Sequence, residues 1–134
     1  MDRMHEDEEL VPIGNVATTL GLTTRTLRYW EEMGIIKSYQ RPEGGSRAYT
    51  PYMLRRIKFI LKLKTLGLTI KELQVLGDAY GEARRTDNMI PRLIDILDTH
   101  INMVDGKIAE LSSLRKEIVE YRQKMIEKFN LSRE

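Results

Sequence analysis

The sequence predicts a mainly α-helical chain in which a winged helix-turn-helix domain precedes one long, self-associating helix. Three observations predict it. Two short segments with helical apolar spacing are separated by Gly21, which reads as a helix-turn-helix. A turn-rich tip at residues 41–46 lies between a stretch carrying Ile36 and Tyr39 and the run Arg47-Ala48-Tyr49, which reads as a β-hairpin, or wing. From Ile90 to Leu111 apolar residues step alternately by four and three, the period of a coiled coil.

Each element has its own local signal. Residues 1–10 lack apolar periodicity and read as a disordered acidic tail. Pro12 suits a first helical turn, and Ile13, Val16, Ala17 and Leu20 carry that helix to Gly21. Thr23-Thr24 cap a second helix, with Leu27 and Trp30 inward, which ends at Met33-Gly34 where Gly34 is free to take the left-handed conformation. After the wing, Thr50-Pro51 start an amphipathic helix. One arc of it holds Leu54, Ile57, Ile60 and Leu61, the other Arg55, Lys58 and Lys62. Gly67-Leu68 ends it. Thr69 and Glu72 form a capping box for the next helix, which buries Ile70, Leu73 and Leu76. The polar stretch 77–88, with Gly77 and Gly81, reads as a linker into which that helix frays, and Pro91 fits only the first turn of the final helix.

The last helix carries the seam Ile90, Ile94, Leu97, Ile101, Val104, Ile108 and Leu111. A step of three to Leu114, where four was due, precedes Ile118, Tyr121 and Met125, and such a discontinuity overwinds a coiled coil locally. A helix of this length runs on the order of 55 Å, beyond the edge of a small domain. Its apolar stripe therefore needs a partner, and a second copy is the economical one. These readings divide the chain into an acidic tail (1–10), a winged domain (11–76), a linker (77–88), a coiled-coil helix (89–128) and a C-terminal tail (129–134).

Composition excludes much else. Among 134 residues there is no cysteine, and only His5 and His100 supply imidazole, so disulfide scaffolds, thiolate metal sites and cysteine nucleophiles are out. The acidic start does not read as a signal peptide and no apolar run approaches the ~18 residues that span a bilayer, so a cytoplasmic protein is expected. The formal charge of +2 hides an uneven distribution: residues 1–10 carry −4, 11–72 carry +7 and 73–134 carry −1. A basic middle suits a polyanion, although on charge alone a solvated face is the default reading.

The residue types of the second helix sharpen this. Its N-terminal amides attract phosphate, and Thr24, Arg25, Thr26, Arg28 and Tyr29 offer hydrogen bonds to phosphates or to base edges in a major groove. Arg25 and Arg28 share a face. In the wing, Gly44-Gly45 permit close backbone approach, and Arg41 and Arg47 supply charge for phosphates or a minor groove. A plain exposed hairpin explains the same glycines.

The runs Ile13-Gly14-Asn15-Val16-Ala17, Leu22 through Ile36 with its Leu27-Arg28-Tyr29-Trp30-Glu31 centre, Ser46-Arg47-Ala48-Tyr49-Thr50, and Leu66 through Leu73 together closely resemble the MerR family of bacterial transcription regulators. The match covers residues 11–76 and, more loosely, the coiled coil. The resemblance implies a winged helix-turn-helix homodimer joined by an antiparallel coiled coil. It implies binding to an inverted repeat of double-stranded promoter DNA, typically within an over-long promoter spacer, and activation of RNA polymerase by bending and untwisting that DNA. Thr24, Arg25 and Arg28 would face the major groove, with Tyr29 on the backbone, and Arg47 and Tyr49 would anchor the wing to phosphates.

Two departures narrow the expectation. The cysteine-bearing loop of some branches has no counterpart, so metal or thiol sensing by that route is not expected, nor is any cofactor. The sequence after Lys128 leaves no room for the large ligand-binding domain of the drug-sensing branch. Length and the Gly77-Asp78-Ala79-Tyr80 segment look more like short members that control branched-chain amino-acid and fatty-acid breakdown. An effector, such as an acyl-CoA, would then sit near Tyr80, Arg84 and Arg85. Three rival readings stand beside this one. An enzyme lacks a nucleophile, base and oxyanion site. A coiled-coil adaptor leaves the basic helix and wing without purpose. A simple repressor or architectural DNA-binding protein keeps DNA binding without activation.

Overall fold

The computed structural model describes residues 9–40, 45 and 47–130. The chain divides into two compact units, one reaching to Arg92 and the other beginning at Leu93. The first contains β1 (Val11–Pro12), α1 (Ile13–Leu20), α2 (Thr24–Glu32), β2 (Ala48–Tyr49), α3 (Pro51–Thr65), α4 (Ile70–Tyr80) and the start of α5 (Thr86–Lys128).

Short helices need good ends, and these have them. Thr23 accepts from the Thr26 amide at 3.0 Å, Thr50 from the Met53 amide at 3.0 Å, and Thr69 with Glu72 forms the reciprocal capping box at the start of α4. Gly34 follows α2 at φ 78°, a left-handed conformation that glycine takes without steric cost. The carbonyl of Met33 accepts from the Gln74 side chain at 2.9 Å, which ties the end of α2 to α4.

The wing is the expected hairpin, though a short one. Ile35 and Ile36 are buried irregular chain, and among the described residues of the wing's first arm only Tyr39 bridges Ala48, through reciprocal backbone bonds of 2.8 and 3.0 Å. The second neighbour of β2 comes from the other end of the domain: β1 pairs antiparallel with it, Val11 opposite Tyr49 and Pro12 opposite Ala48. Pro12 is thus not in a helical turn. At φ −61° and ψ 148° it is extended and stands at the cap position, just before Ile13, whose amide donates to the Arg47 carbonyl at 2.8 Å.

The core is built from α1, α2, β2, α3, α4 and the segments between them. Val16, Leu27, Tyr49, Ile57 and Leu68 are its most deeply buried large side chains; each apolar side chain withdrawn from water contributes about 1.5–3 kcal/mol. The buried arc of α3 is Met53, Ile57, Ile60 and Leu63, a strict three-and-four spacing. Leu54 and Leu61, expected to share it with Ile57 and Ile60, lie half-buried on its flank. Ile70 is likewise half-buried, while Leu73 and Leu76 are inside.

The break between α4 and α5 is shorter than the polar stretch suggested. Helix α4 continues through Gly77 to Tyr80, and α5 already begins at Thr86. Gly77 is helical and faces α3: a Cβ there would lie 3.4 Å from an Arg56 guanidinium nitrogen, an ordinary contact. Pro91 consequently lies inside α5, beyond its first turn. It costs the helix the amide bond to the Asp87 carbonyl, which stands at an exposed position.

Helix α5 has 43 residues, about 64 Å at 1.5 Å per residue. In the second unit its seam is open to solvent, from Ile94 at 49% through Ile101, Val104 and Ile108 to Leu111 at 65% and Ile118 at 58%. Leu97 is half-buried. Among the described residues no helix is long and apolar enough to cross a membrane.

Candidate nucleic-acid interface

Helix α2 presents two opposed faces, and helical geometry explains both. At about 100° per residue, Leu27 and Trp30 share one side, and Arg25, Arg28 and Tyr29 fall within about 100° of arc on the other. The first pair is buried. Arg25 and Arg28 are exposed, and so is Tyr29, at 44%. Thr24 and Thr26 flank this face at about 100° to either side and are half-buried. The Thr26 hydroxyl is engaged with that of Thr23 at 3.0 Å, so it also braces the cap. Neither Arg25 nor Arg28 has an ion-pair partner among the described residues. The face is therefore cationic over its first turns, with the exposed Glu32 on the same arc at its last residue, and is backed by the core.

The wing joins this helix through one carboxylate. Glu31 Oε1 lies 3.2 Å from an Arg47 guanidinium nitrogen, and its Oε2 accepts from the Tyr49 hydroxyl. The Glu31 side chain is 15% exposed and that of Arg47 is 40% exposed, so the pair stands at the rim of the domain with the guanidinium still reaching solvent. Strand β2 and the last turn of α2 are thus fixed to one another.

Tyr49 corrects the expectation that it anchors the wing to phosphate. It is 0% exposed, a core side chain with its hydroxyl occupied by Glu31. Burial, followed by the hydrogen bond to Glu31 and the negative charge there, pushes the phenol well above its ordinary range, while Arg47 and Arg28 pull it partly back. Arg41, the other wing cation, lies outside the described residues, as does Gly44. Glu31 escaped the sequence reading because its partners stand 16 and 18 residues away, and no local pattern marks a pairing across a loop.

The effector candidates separate. Arg84 stacks over the Tyr52 ring at 3.6 Å, and the Tyr52 hydroxyl donates to that of Tyr80 at 3.2 Å, so Tyr80 and Arg84 converge on α3. Arg84 holds φ at 55°, a strained value for a non-glycine residue. Arg85 instead forks onto the exposed Asp87 at 3.2 and 3.3 Å and holds that carboxyl below the usual range. Among the described residues no group of three or more His, Asp or Glu side chains is placed to hold a metal ion.

Comparison with known proteins agrees with this geometry. Residues 11–79 match the profile of the MerR HTH family regulatory protein, and residues 54–121 match that of MerR, DNA binding. The chain is 33% identical over 114 residues, 85% of its length and 82% of the relative's, to the HTH-type transcriptional regulator ZntR homolog of Haemophilus influenzae. The transcription regulator PbrR691 from Ralstonia metallidurans CH34, solved in complex with lead(II), superposes with a TM-score of 0.66 at 25% identity, over 84% of this chain and 86% of that one. The EcmrR–DNA complex in EcmrR-RPo gives a TM-score of 0.56 at 25% identity, over 87% of this chain and 41% of that one. The present sequence, unlike a thiolate metal site, has no cysteine. With its winged helix-turn-helix, its cationic helix face and both profiles in agreement, the chain belongs to the MerR family of DNA-binding transcription regulators.

Proposed function

We propose that this protein is a cytoplasmic homodimer that binds an inverted repeat in promoter DNA and activates RNA polymerase by distorting the promoter spacer. The observation that carries the reading is the α2 face of Arg25, Arg28 and Tyr29, exposed, free of acidic partners and backed by Leu27 and Trp30. Arg25 and Arg28, with Thr24 and Thr26 beside them, enter the major groove. Tyr29 meets the backbone. Arg47 contacts phosphate from the wing, its guanidinium oriented by Glu31.

The open seam of α5 supports the dimer, since a solvent-exposed heptad stripe of this length is stable only when a second stripe covers it. An antiparallel coiled coil sets the two α2 helices at a fixed separation, which an inverted repeat mirrors. The EcmrR–DNA complex in EcmrR-RPo supports RNA polymerase as the functional partner. Distorting the spacer costs about 1–6 kcal/mol, offset by the added wing and backbone contacts. A small-molecule effector near Tyr80 and Arg84, with acyl-CoA as its class, belongs to the same reading; the engagement of Arg85 with Asp87 places it at the margin.

Transcription in vitro tests the mechanism. On a template with the native spacer the protein is expected to raise transcript output; on one with the spacer shortened to ordinary length, output is expected to be high without it and unchanged or reduced by it. Repression on both templates would establish the simple repressor instead.

A further inference from the structure

Between α3, α4 and the first turns of α5, all within the first unit, lies a cavity of about 360 Å³ that the DNA-binding reading does not use. Its walls are apolar, with Phe59, Leu63, Leu73, Leu76 and Ile90 among them. Among the described residues, the only charged ones that line it are Arg55 and Arg56, with no carboxylate. Neither guanidinium has an ion-pair partner among the described residues. Arg56 passes across Gly77, where a Cβ would approach it to 3.4 Å, and lies 5.9 Å from the centroid of the Tyr80 ring. The hydroxyl pair Tyr52–Tyr80, at 3.2 Å, joins α3 to α4 beside it. Tyr52, Arg56 and Gly77 also border a neighbouring basin, where Lys37 and Arg84 stand with Asp78 and Glu82. Counting Arg56, the basin too has one more cation than carboxylates, but it holds carboxylates that the lining of the apolar cavity lacks.

We propose that this cavity binds a small amphipathic carboxylate, its hydrocarbon tail among Phe59, Leu63, Leu73 and Leu76 and its head on the guanidinium groups of Arg55 and Arg56. The volume lies within the range of about 300–1,000 Å³ occupied by small-molecule pockets. Apolar walls supply affinity in proportion to the area removed from water. Two guanidiniums without an ion-pair partner supply orientation, because a carboxylate takes two parallel hydrogen bonds from such a group. The proposal rests on the effector reading and gives it a site and a head-group chemistry. Thr86 and Met89 also line the cavity, so the occupant touches the chain on both sides of the break at residues 81–85.

Calorimetric titration of the full chain with decanoate, decan-1-ol and decanoyl-CoA tests it. Decanoate is expected to bind once per protomer, and decan-1-ol at least about tenfold more weakly, the size of one lost charge-assisted hydrogen bond. Arg56→Gln and Arg55→Gln are each expected to erase that preference, and Arg56→Lys to restore most of it; circular dichroism checks that each variant is folded. Equal binding of acid and alcohol, or a preference that survives both glutamine substitutions, would overturn the proposal. Binding of decanoyl-CoA alone would also overturn it while leaving an effector in place. Binding of decanoate with no change in transcript output would keep the site and remove the effector reading. If decanoate does not bind and Phe59→Asp weakens the dimer, the cavity is an interface between copies and the proposal fails.

Discussion

Replacing Glu31 by alanine probes the link between recognition helix and wing. The carboxylate does two things at once: Oε2 satisfies a hydroxyl on a fully buried ring, and Oε1 holds a partly exposed guanidinium. Without it, the Tyr49 hydroxyl is stranded in the core, which costs about 1–3 kcal/mol for an unsatisfied buried polar group. Loss of the Arg47 pair, screened by solvent at 40% exposure, adds only about 0–1 kcal/mol. We expect Glu31→Ala to destabilise by about 1–4 kcal/mol in all. Tyr49→Phe should cost less, about 1.5 kcal/mol, because the remaining carboxylate keeps Arg47 and still reaches water. The double variant should cost about 1–2 kcal/mol less than the sum of the single ones, since the second substitution removes a group already without its partner. Urea denaturation at one fixed protomer concentration measures all three, with unchanged slopes required for the comparison. Additivity within about 0.5 kcal/mol would refute the coupling and with it the role assigned to Glu31.

Tyr49 makes a second prediction. Its phenol titrates above the unfolded value of about 10, so above that pH the unfolded state releases a proton that the folded state retains. Stability present below pH ~10 should fall as pH rises further, and Tyr49→Phe should flatten that decline; urea midpoints at neutral and strongly alkaline pH compare the two proteins, and parallel declines would contradict it. For the DNA interface, Arg28→Ala is expected to weaken binding and change base preference, whereas Arg47→Ala weakens it on every sequence and lowers the salt slope by about one unit. Binding to matched and scrambled operators at several salt concentrations separates the two, and indistinguishable effects would defeat the division of labour. For the dimer, Leu97→Asp with Ile101→Asp should halve the sedimenting mass, and an unchanged mass would count against the seam.

Legibility in the sequence tracks the range of the forces involved. The faces of α2, the threonine caps and the capping box at Thr69 were legible because helical periodicity and capping act within four residues. The seam of α5 was legible for the same reason, repeated over several turns. The two-residue strand at Val11–Pro12 was not: it has no period of its own and exists because Ala48 and Tyr49, far along the chain, offer it a ladder. Tyr49 was misread because an aromatic ring with a hydroxyl suits a phosphate contact and a satisfied core position equally, and only Glu31 decides between them. Gly77, a helix breaker by local propensity, sits inside α4 beside Arg56, a setting that only the neighbouring helix defines.

The central claim is that this protein reshapes promoter DNA through two α2 helices set by one dimer. Footprinting the purified protein on the DNA beside its own gene, against the mapped promoter and with a reagent sensitive to distorted base steps, tests it most directly. The account predicts two-fold protection inside the promoter spacer with enhanced reactivity at its centre. Protection elsewhere, or protection in the spacer without central distortion, would contradict it.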